Sequence, residues 1–120
     1  MKKKKIICFD LDNVICFTKK NFYKDSVPNI KIINLINNLY KKNYLIKIFT
    51  ARYMGRFKEN IRLAKKSGLN FTKNQLKLWG VNYHKLYFGK PNFDIYIDDK
   101  NLEFSIKNWD LKLKKKLRIK

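Results

Sequence analysis

Acidic residues are scarce in this chain: nine aspartates and glutamates stand against 29 lysines and arginines in 120 residues. Cysteine (two), proline (two), glycine (four) and histidine (one) are scarcer still. Cys8 and Cys16 lie in apolar sequence and are too few for a disulfide framework, so they read as reduced thiols. A zinc site of the usual nitrogen and sulfur donors lacks its ligands, and His84 reads as an ordinary residue between a helix and a strand. Linker-like runs of Gly, Ser or Pro are missing and no internal repeat appears, so a single domain over residues 1–120 is expected. No apolar run approaches the ~20 residues of a membrane span. The basic start, Met1 to Lys5, is followed by a run that meets Asp10 too soon for a secretory signal. The expectation is a cytoplasmic protein.

What is abundant is positive charge and apolar surface. Apolar residues make up 45% and aromatics 15%, enough to bury a core and to exclude disorder. The formal net charge of +20 invites nucleic acid as a partner. Against it, 25 of the 29 basic residues are lysine, whereas base and phosphate readers lean on arginine. The lysines are spread along the chain, clustering only at Lys2–Lys5 and Lys112–Lys116, and the joint excess of Lys, Asn and Ile suggests an AT-rich coding sequence. Nucleic acid is therefore disfavoured as a partner, although a positive field attracts any anionic substrate.

Taken in order, Ile6–Phe9 reads as a buried strand and Asn13–Asn29 as a mixed segment. Pro28 signals a helix over Asn29–Lys42, with Ile32, Ile33, Ile36, Leu39 and Tyr40 on one face. Tyr44–Phe49 is a second strand, ending at Thr50-Ala51-Arg52. Two helices follow, Phe57–Lys66 closed by Ser67-Gly68, and a short one from Thr72 through Trp79 ended by Gly80. Leu86–Phe88 is a third strand, either at an edge in an unusual direction or joined steeply down the sheet to a fourth, Phe93–Ile97. Leu102, Phe104, Ile106 and Trp109 suggest a short packing element; residues 111–120 fit an edge strand, a basic helix or a basic tail. Strands alternating with helices imply an α/β domain with a mainly parallel sheet.

The scarce acids are not scattered. Asp10 and Asp12 stand at the carboxyl end of the first strand, and Asp98 and Asp99 at the carboxyl end of the fourth. In an open α/β sheet that edge is the ligand crevice. If the two strands are neighbours, four carboxylates converge, an all-oxygen set suited to Mg²⁺.

Phe9-Asp10-Leu11-Asp12-Asn13-Val14, a strand ending in Thr50, then Lys90, then Ile97-Asp98-Asp99 resemble, in order and strand context, the four motifs of haloacid dehalogenase-like (HAD) phosphatases. The resemblance covers roughly Ile6 to Lys100. The strings Phe49-Thr50-Ala51-Arg52-Tyr53-Met54-Gly55 and Phe88 through Lys100 narrow it to small phosphatases associated with bacterial capsular and surface-polysaccharide synthesis. Asn13 and Val14 stand where many members have Gly and Thr. What the resemblance implies is a three-layer Rossmann-like domain of the capless type, its open site admitting a large substrate or covered by another copy of the chain.

The same resemblance implies roles. Asp10 would be the nucleophile that forms an aspartyl-phosphate, and Asp12 the general acid and then base. Thr50 and the amide of Ala51 would hold phosphoryl oxygens, Arg52 would contact substrate, and Lys90 would neutralise charge on the phosphoryl group and Asp10. Mg²⁺ would be held by Asp10, the carbonyl of Asp12, Asp98 and, at the edge or through water, Asp99. Thr50 has a plainer role open to it, capping the turn after its strand. Tyr53, Met54 and Phe57 suit either the core or the mouth of the site, and the basic segment Arg52–Lys66 reads as a substrate-contacting flap. The expected function is a Mg²⁺-dependent phosphomonoester hydrolase acting on a sugar, polyol or related small phosphate of surface-polysaccharide synthesis. The rivals are a phosphatase for polynucleotide ends and a non-catalytic basic binding module on the same scaffold.

Overall fold

The computed structural model describes residues 5–104 and 107–120. Lys2–Lys4 and Ile106, singled out above, lie outside the described residues. The centre of the fold is a parallel sheet of β1 (Ile6–Asp10), β4 (Leu45–Thr50) and β5 (Lys85–Phe88), in the order β1-β4-β5. Asp10 lies opposite Phe49, and Thr50 opposite Phe88, so all three strands end at one edge of the sheet. Between β1 and β4 come a small antiparallel pair, β2 (Cys16–Phe17) with β3 (Val27–Pro28), and the helix α1 (Ile30–Lys41). A 3₁₀ turn, Tyr23–Asp25, separates β2 from β3. Helix α2 (Ile61–Leu78) carries the chain from β4 to β5, and α3 (Trp109–Leu117) is the last element. The α/β class with a parallel sheet agrees with the sequence expectation.

Local chemistry explains the helices. Asn29 caps α1 by accepting the amide of Ile32 through its side chain, and Ile32, Ile33, Leu35, Ile36 and Leu39 form its buried face. The helix stops where Asn43 takes a left-handed φ of 69°, with Tyr44 donating to the Leu39 carbonyl and Asn43 to that of Tyr40. Gly80 ends α2 in the same way at φ 72°, as Val81 donates back to Leu76. The core gathers Phe9, Leu11, Ile15, Ile36, Leu39, Ile46, Ile48, Leu76, Trp109 and Leu113.

Three expectations need correction. The two helices placed at Phe57–Lys66 and Thr72–Trp79 are one helix, α2. Gly68 lies inside it rather than at its end, because the ring of Tyr53 occupies the space a Cβ there would need. Leu86–Phe88 is neither reversed nor irregular: it belongs to β5, parallel to β4, with α2 as its crossover. Of the three readings open for 111–120 the basic helix is the one that forms, as most of α3, since Trp109, Leu113 and Leu117 recur every four residues and turn one face to the core.

The third correction concerns Phe93–Ile97, which forms no strand; Pro91 through Lys100 are all exposed, Ile95 at 81% and Ile97 at 92%. Phe93 and Tyr96 stack with ring centroids 5.0 Å apart, and the Lys90 ammonium sits 5.4 and 5.5 Å from the two rings. Residues three apart point to opposite faces of an extended strand, so this cluster and a strand are mutually exclusive. Without a strand on its outer side β1 is an edge strand, and Ile6, expected to be buried, is 55% exposed.

Candidate active site

β1 ends by burying Leu11 while exposing its flanking carboxylates. Leu11 is fully buried, and its carbonyl accepts the amides of Val14, Ile15 and Cys16, which wraps the chain into a tight turn. Side chains two apart share a side of an extended chain, so Asp10 and Asp12 both face the crevice. Asn13 sits at φ 65° within the turn, a conformation that glycine adopts freely and asparagine tolerates. This accounts physically for asparagine at the turn.

Asp10 Oδ1 accepts the Leu11 amide at 2.8 Å, and Oδ2 lies 3.3 Å from Lys90 Nζ. Burial pushes the Asp10 carboxyl above its ordinary value, an effect opposed by the Lys90 charge and the Leu11 amide. Lys90 reaches this position from the end of β5. Its amide donates to the Thr50 carbonyl at 3.2 Å, after Gly89 has turned the chain at φ 100°.

Asp12 is held more tightly. Arg52 approaches it side-on, Nη2 2.8 Å from Oδ1 and Nε 3.0 Å from Oδ2. The Thr18 hydroxyl donates to Oδ1 at 2.6 Å. Arg52 Nη1 donates to Gln75 Oε1 at 2.6 Å, and the guanidinium lies 4.7 Å from the centroid of the Tyr23 ring. Gln75 in turn donates to the Tyr23 carbonyl at 2.8 Å, tying α2 to the loop beyond β2. The stack continues outward, since Tyr53 lies 5.0 Å from Tyr23 and Arg56 4.9 Å from Tyr53. Cys16, whose thiol is pushed up by burial and so stays protonated, adds a weak contact to Asp12 Oδ1 at 3.6 Å.

These elements enclose a cavity of about 260 Å³. Asp10 and Asp12 line it from the β1 turn; Lys20, Asn21 and Tyr23 line it from the loop beyond β2; Ala51, Arg52, Gly55 and Asn92 complete it. A larger hollow of about 610 Å³ on α2 is lined by Ile61, Arg62, Lys65, Lys66, Leu69 and Asn70. That hollow has no carboxylate, thiol or imidazole to perform chemistry, so the smaller cavity is the candidate site.

The sequence-derived site residues fare differently. Asp10, Asp12, Ala51 and Lys90 come together as expected. Thr50 is fully buried beneath the site, where its hydroxyl accepts the Arg52 amide at 3.1 Å and shapes the turn that presents Ala51. Arg52, expected to contact substrate, is 1% exposed and has its guanidinium committed to Asp12 and Gln75. An exposed guanidinium would exchange with solvent; a buried one needs a fixed anion, and Asp12 supplies it. Met54 is core, while Tyr53 and Phe57 pack against it.

Asp98 and Asp99 are not delivered to Asp10 and Asp12, because the strand expected to carry them does not form. Asp98 instead accepts Tyr96 Oη at 3.1 Å and the Lys100 amide at 2.8 Å, hydrogen bonds that hold its carboxyl below the usual value. Among the described residues no three His, Cys, Asp or Glu side chains are grouped to hold a metal ion. His84 has a structural place: Nδ1 accepts the Ile46 amide and its ring stacks on Tyr40. Thr18, Lys20, Asn21, Tyr23, Gln75 and Asn92 were not assigned to the site by sequence reasoning, and Thr72, read there as a helix cap, instead accepts Arg52 Nη1 from within α2 at 3.4 Å. For the first four the one available hint was polar or aromatic residues within the otherwise unassigned stretch 13–29.

No family model matches this chain, and no curated protein matches it either. A crystal structure of a protein from Vibrio cholerae is similar to it, with a TM-score of 0.76 at 21% identity, over 93% of this chain and 98% of that one. At that identity the likeness establishes a shared fold.

Proposed function

We propose that the cavity at the sheet's carboxyl edge hydrolyses phosphomonoesters, with Asp10 as the nucleophile. The observation that carries this is the pairing of a half-buried Asp10 carboxylate with the Lys90 ammonium at 3.3 Å, at the head of a cavity that Asp12 also lines. The sequence resemblance to HAD phosphatases, in its capless form, points the same way.

The chain's own groups account for the reaction. An Asp10 oxygen attacks phosphorus, the bond to the leaving oxygen breaks, and that oxygen takes a proton that Asp12 carries into this step on Oδ2, the oxygen whose one hydrogen-bond donor is Arg52 Nε. Water then attacks the aspartyl-phosphate, giving a proton to Asp12 and releasing inorganic phosphate while Asp10 is restored. Lys90 offsets the anionic repulsion between Asp10 and the phosphoryl group, and the Ala51 amide holds a phosphoryl oxygen. Arg52, Thr18 and Gln75 keep Asp12 in one orientation, which contributes through positioning.

The resemblance also implies Mg²⁺ held by Asp10, the carbonyl of Asp12, Asp98 and, at the edge or through water, Asp99. The side chains as placed do not fit that ion. Asp10 Oδ1 accepts the Leu11 amide and Oδ2 faces Lys90, while Asp98 is engaged with Tyr96 and the Lys100 amide. No step above is routed through the metal.

The substrate class carried by the resemblance is a sugar, polyol or related small phosphate of surface-polysaccharide synthesis. The basic hollow on α2, with Arg62, Lys65 and Lys66, favours a second reading in which the phosphate terminates a polynucleotide. A phosphate-release screen over sugar, polyol, nucleotide and oligonucleotide phosphates, run with Mg²⁺ present, separates the two. Turnover of small phosphates that vanishes in Asp10→Asn supports the proposal; undiminished turnover in that variant overturns it.

A further inference from the structure

On the phosphatase reading the cavity has two ends, one at Asp10, with Lys90 Nζ 3.3 Å from its carboxylate, where the phosphoryl group is attacked. Asp12 marks the other, because the group that protonates the leaving oxygen stands beside the alcohol being released. Lys20 and Asn21 belong to the Asp12 end: they follow Thr18, whose hydroxyl binds Asp12 Oδ1 at 2.6 Å, and both line the cavity.

These two residues sit at the centre of a turn closed by the Phe22 amide donating to the Lys19 carbonyl at 3.0 Å. Lys20 takes a φ of 49°, the left-handed region in which a side chain is disfavoured and glycine is the easy choice. The turn is fastened on both sides, by Thr18 to Asp12 and by Gln75 to the Tyr23 carbonyl at 2.8 Å. It therefore presents its side chains from a fixed platform. The other cations of the cavity are already engaged, Lys90 with Asp10 and Arg52 with Asp12. Among the described residues Lys20 has no carboxylate partner.

We propose that Lys20, with Asn21 beside it, is a leaving-group subsite for a second anionic group, so that the preferred substrate is a small phosphomonoester whose alcohol part bears a carboxylate or another phosphate. The size follows from the cavity: about 260 Å³ lies below the ~300–1,000 Å³ of drug-sized ligand pockets, which suits a short acid or a single sugar. The inference rests on the phosphatase reading.

The test compares kcat/KM within matched pairs: phosphoglycerate against glycerol phosphate for a carboxylate, and hexose bisphosphate against hexose monophosphate for a phosphate. The wild type should favour the acid-bearing member of at least one pair by about fivefold, the scale of one partly solvated ion pair. Lys20→Gly removes the side chain while suiting the left-handed backbone, so it should melt no lower than the wild type and lose the preference; Lys20→Arg should retain it. Equal rates within both pairs, or a preference that survives Lys20→Gly, overturn the inference. Absence of phosphate release from every probe defeats the phosphatase reading instead. Calorimetric titration of phosphoglycerate into Asp10→Asn, with and without Lys20→Gly, then decides the subsite alone: about fivefold weaker binding on loss of Lys20 supports it, and unchanged binding overturns it.

Discussion

Arg52 Nη2 lies 2.8 Å from Asp12 Oδ1 and Arg52 Nε 3.0 Å from Asp12 Oδ2, while the arginine side chain is wholly withdrawn from solvent. The pair joins the loop after β4 to the turn after β1. It also explains why a protein so rich in lysine uses arginine here: the planar fork meets both carboxylate oxygens and still has Nη1 for Gln75.

Arg52→Ala leaves Asp12 without its counter-ion and opens a buried space, so a loss of about 3–5 kcal/mol in stability is expected from chemical denaturation. Arg52→Lys keeps the charge without the fork. It should fold, and should lower kcat at least about tenfold with a smaller change in KM and an altered pH profile. A pH profile superposable on the wild type would reduce Arg52 to a purely structural role.

Asp10→Asn should eliminate phosphate release yet raise the melting temperature at neutral pH. Burial raises the folded-state pKa of Asp10 above its unfolded value, so the folded protein binds the proton more tightly than the unfolded chain. That contribution to stability is fully present below the unfolded pKa of about 3.8 and is lost as pH rises through the folded pKa. At neutral pH the buried anion is a net cost, and asparagine removes it. The expected rise in melting temperature therefore disappears in melts recorded below about pH 4.

The acid limb of kcat/KM should lie above the ordinary carboxylate range, because the attacking Asp10 must be ionised. Lys90 opposes the rise, so Lys90→Ala should move the limb further up the pH scale. The same variant should cost about a hundredfold in rate at neutral pH, through loss of charge stabilisation at the phosphoryl group. A limb that stays put in Lys90→Ala would show that the titrating group is not Asp10.

Gly68→Ala in the middle of a helix ordinarily gains up to about 1 kcal/mol from helix propensity. Here the new methyl group would overlap the Tyr53 ring, so the expected result is a net loss of about 1–2 kcal/mol. Combining it with Tyr53→Ala should recover much of that loss, a non-additive pair readable by thermal melts.

Much of the scaffold is written in local pattern. The three- and four-residue spacing of Ile32, Ile33, Ile36 and Leu39, bounded by Asn29 and Asn43, identifies α1 almost to the residue. Alternation places Ile46, Ile48 and Thr50 on one buried face of β4. Local pattern splits α2 in two because Gly68 looks like a helix end when only its neighbours in sequence are considered. Its reason for being glycine is Tyr53, a contact made through space. Phe93–Ile97 has strand composition, but its rings stack on one another and on Lys90 instead of entering the sheet.

By itself the sequence determined the α/β class, the parallel strands and the nearness of Asp10 and Asp12, because strand alternation and helix periodicity depend on neighbours along the chain. Tertiary structure alone decided which charges are engaged. It committed Arg52 to Asp12, left Asp98 and Asp99 in solvent and placed Lys20 in the lining of the cavity. Ion pairing is settled by distance and burial, and for residues 40 positions apart, such as Asp12 and Arg52, those follow only from the packing of whole elements.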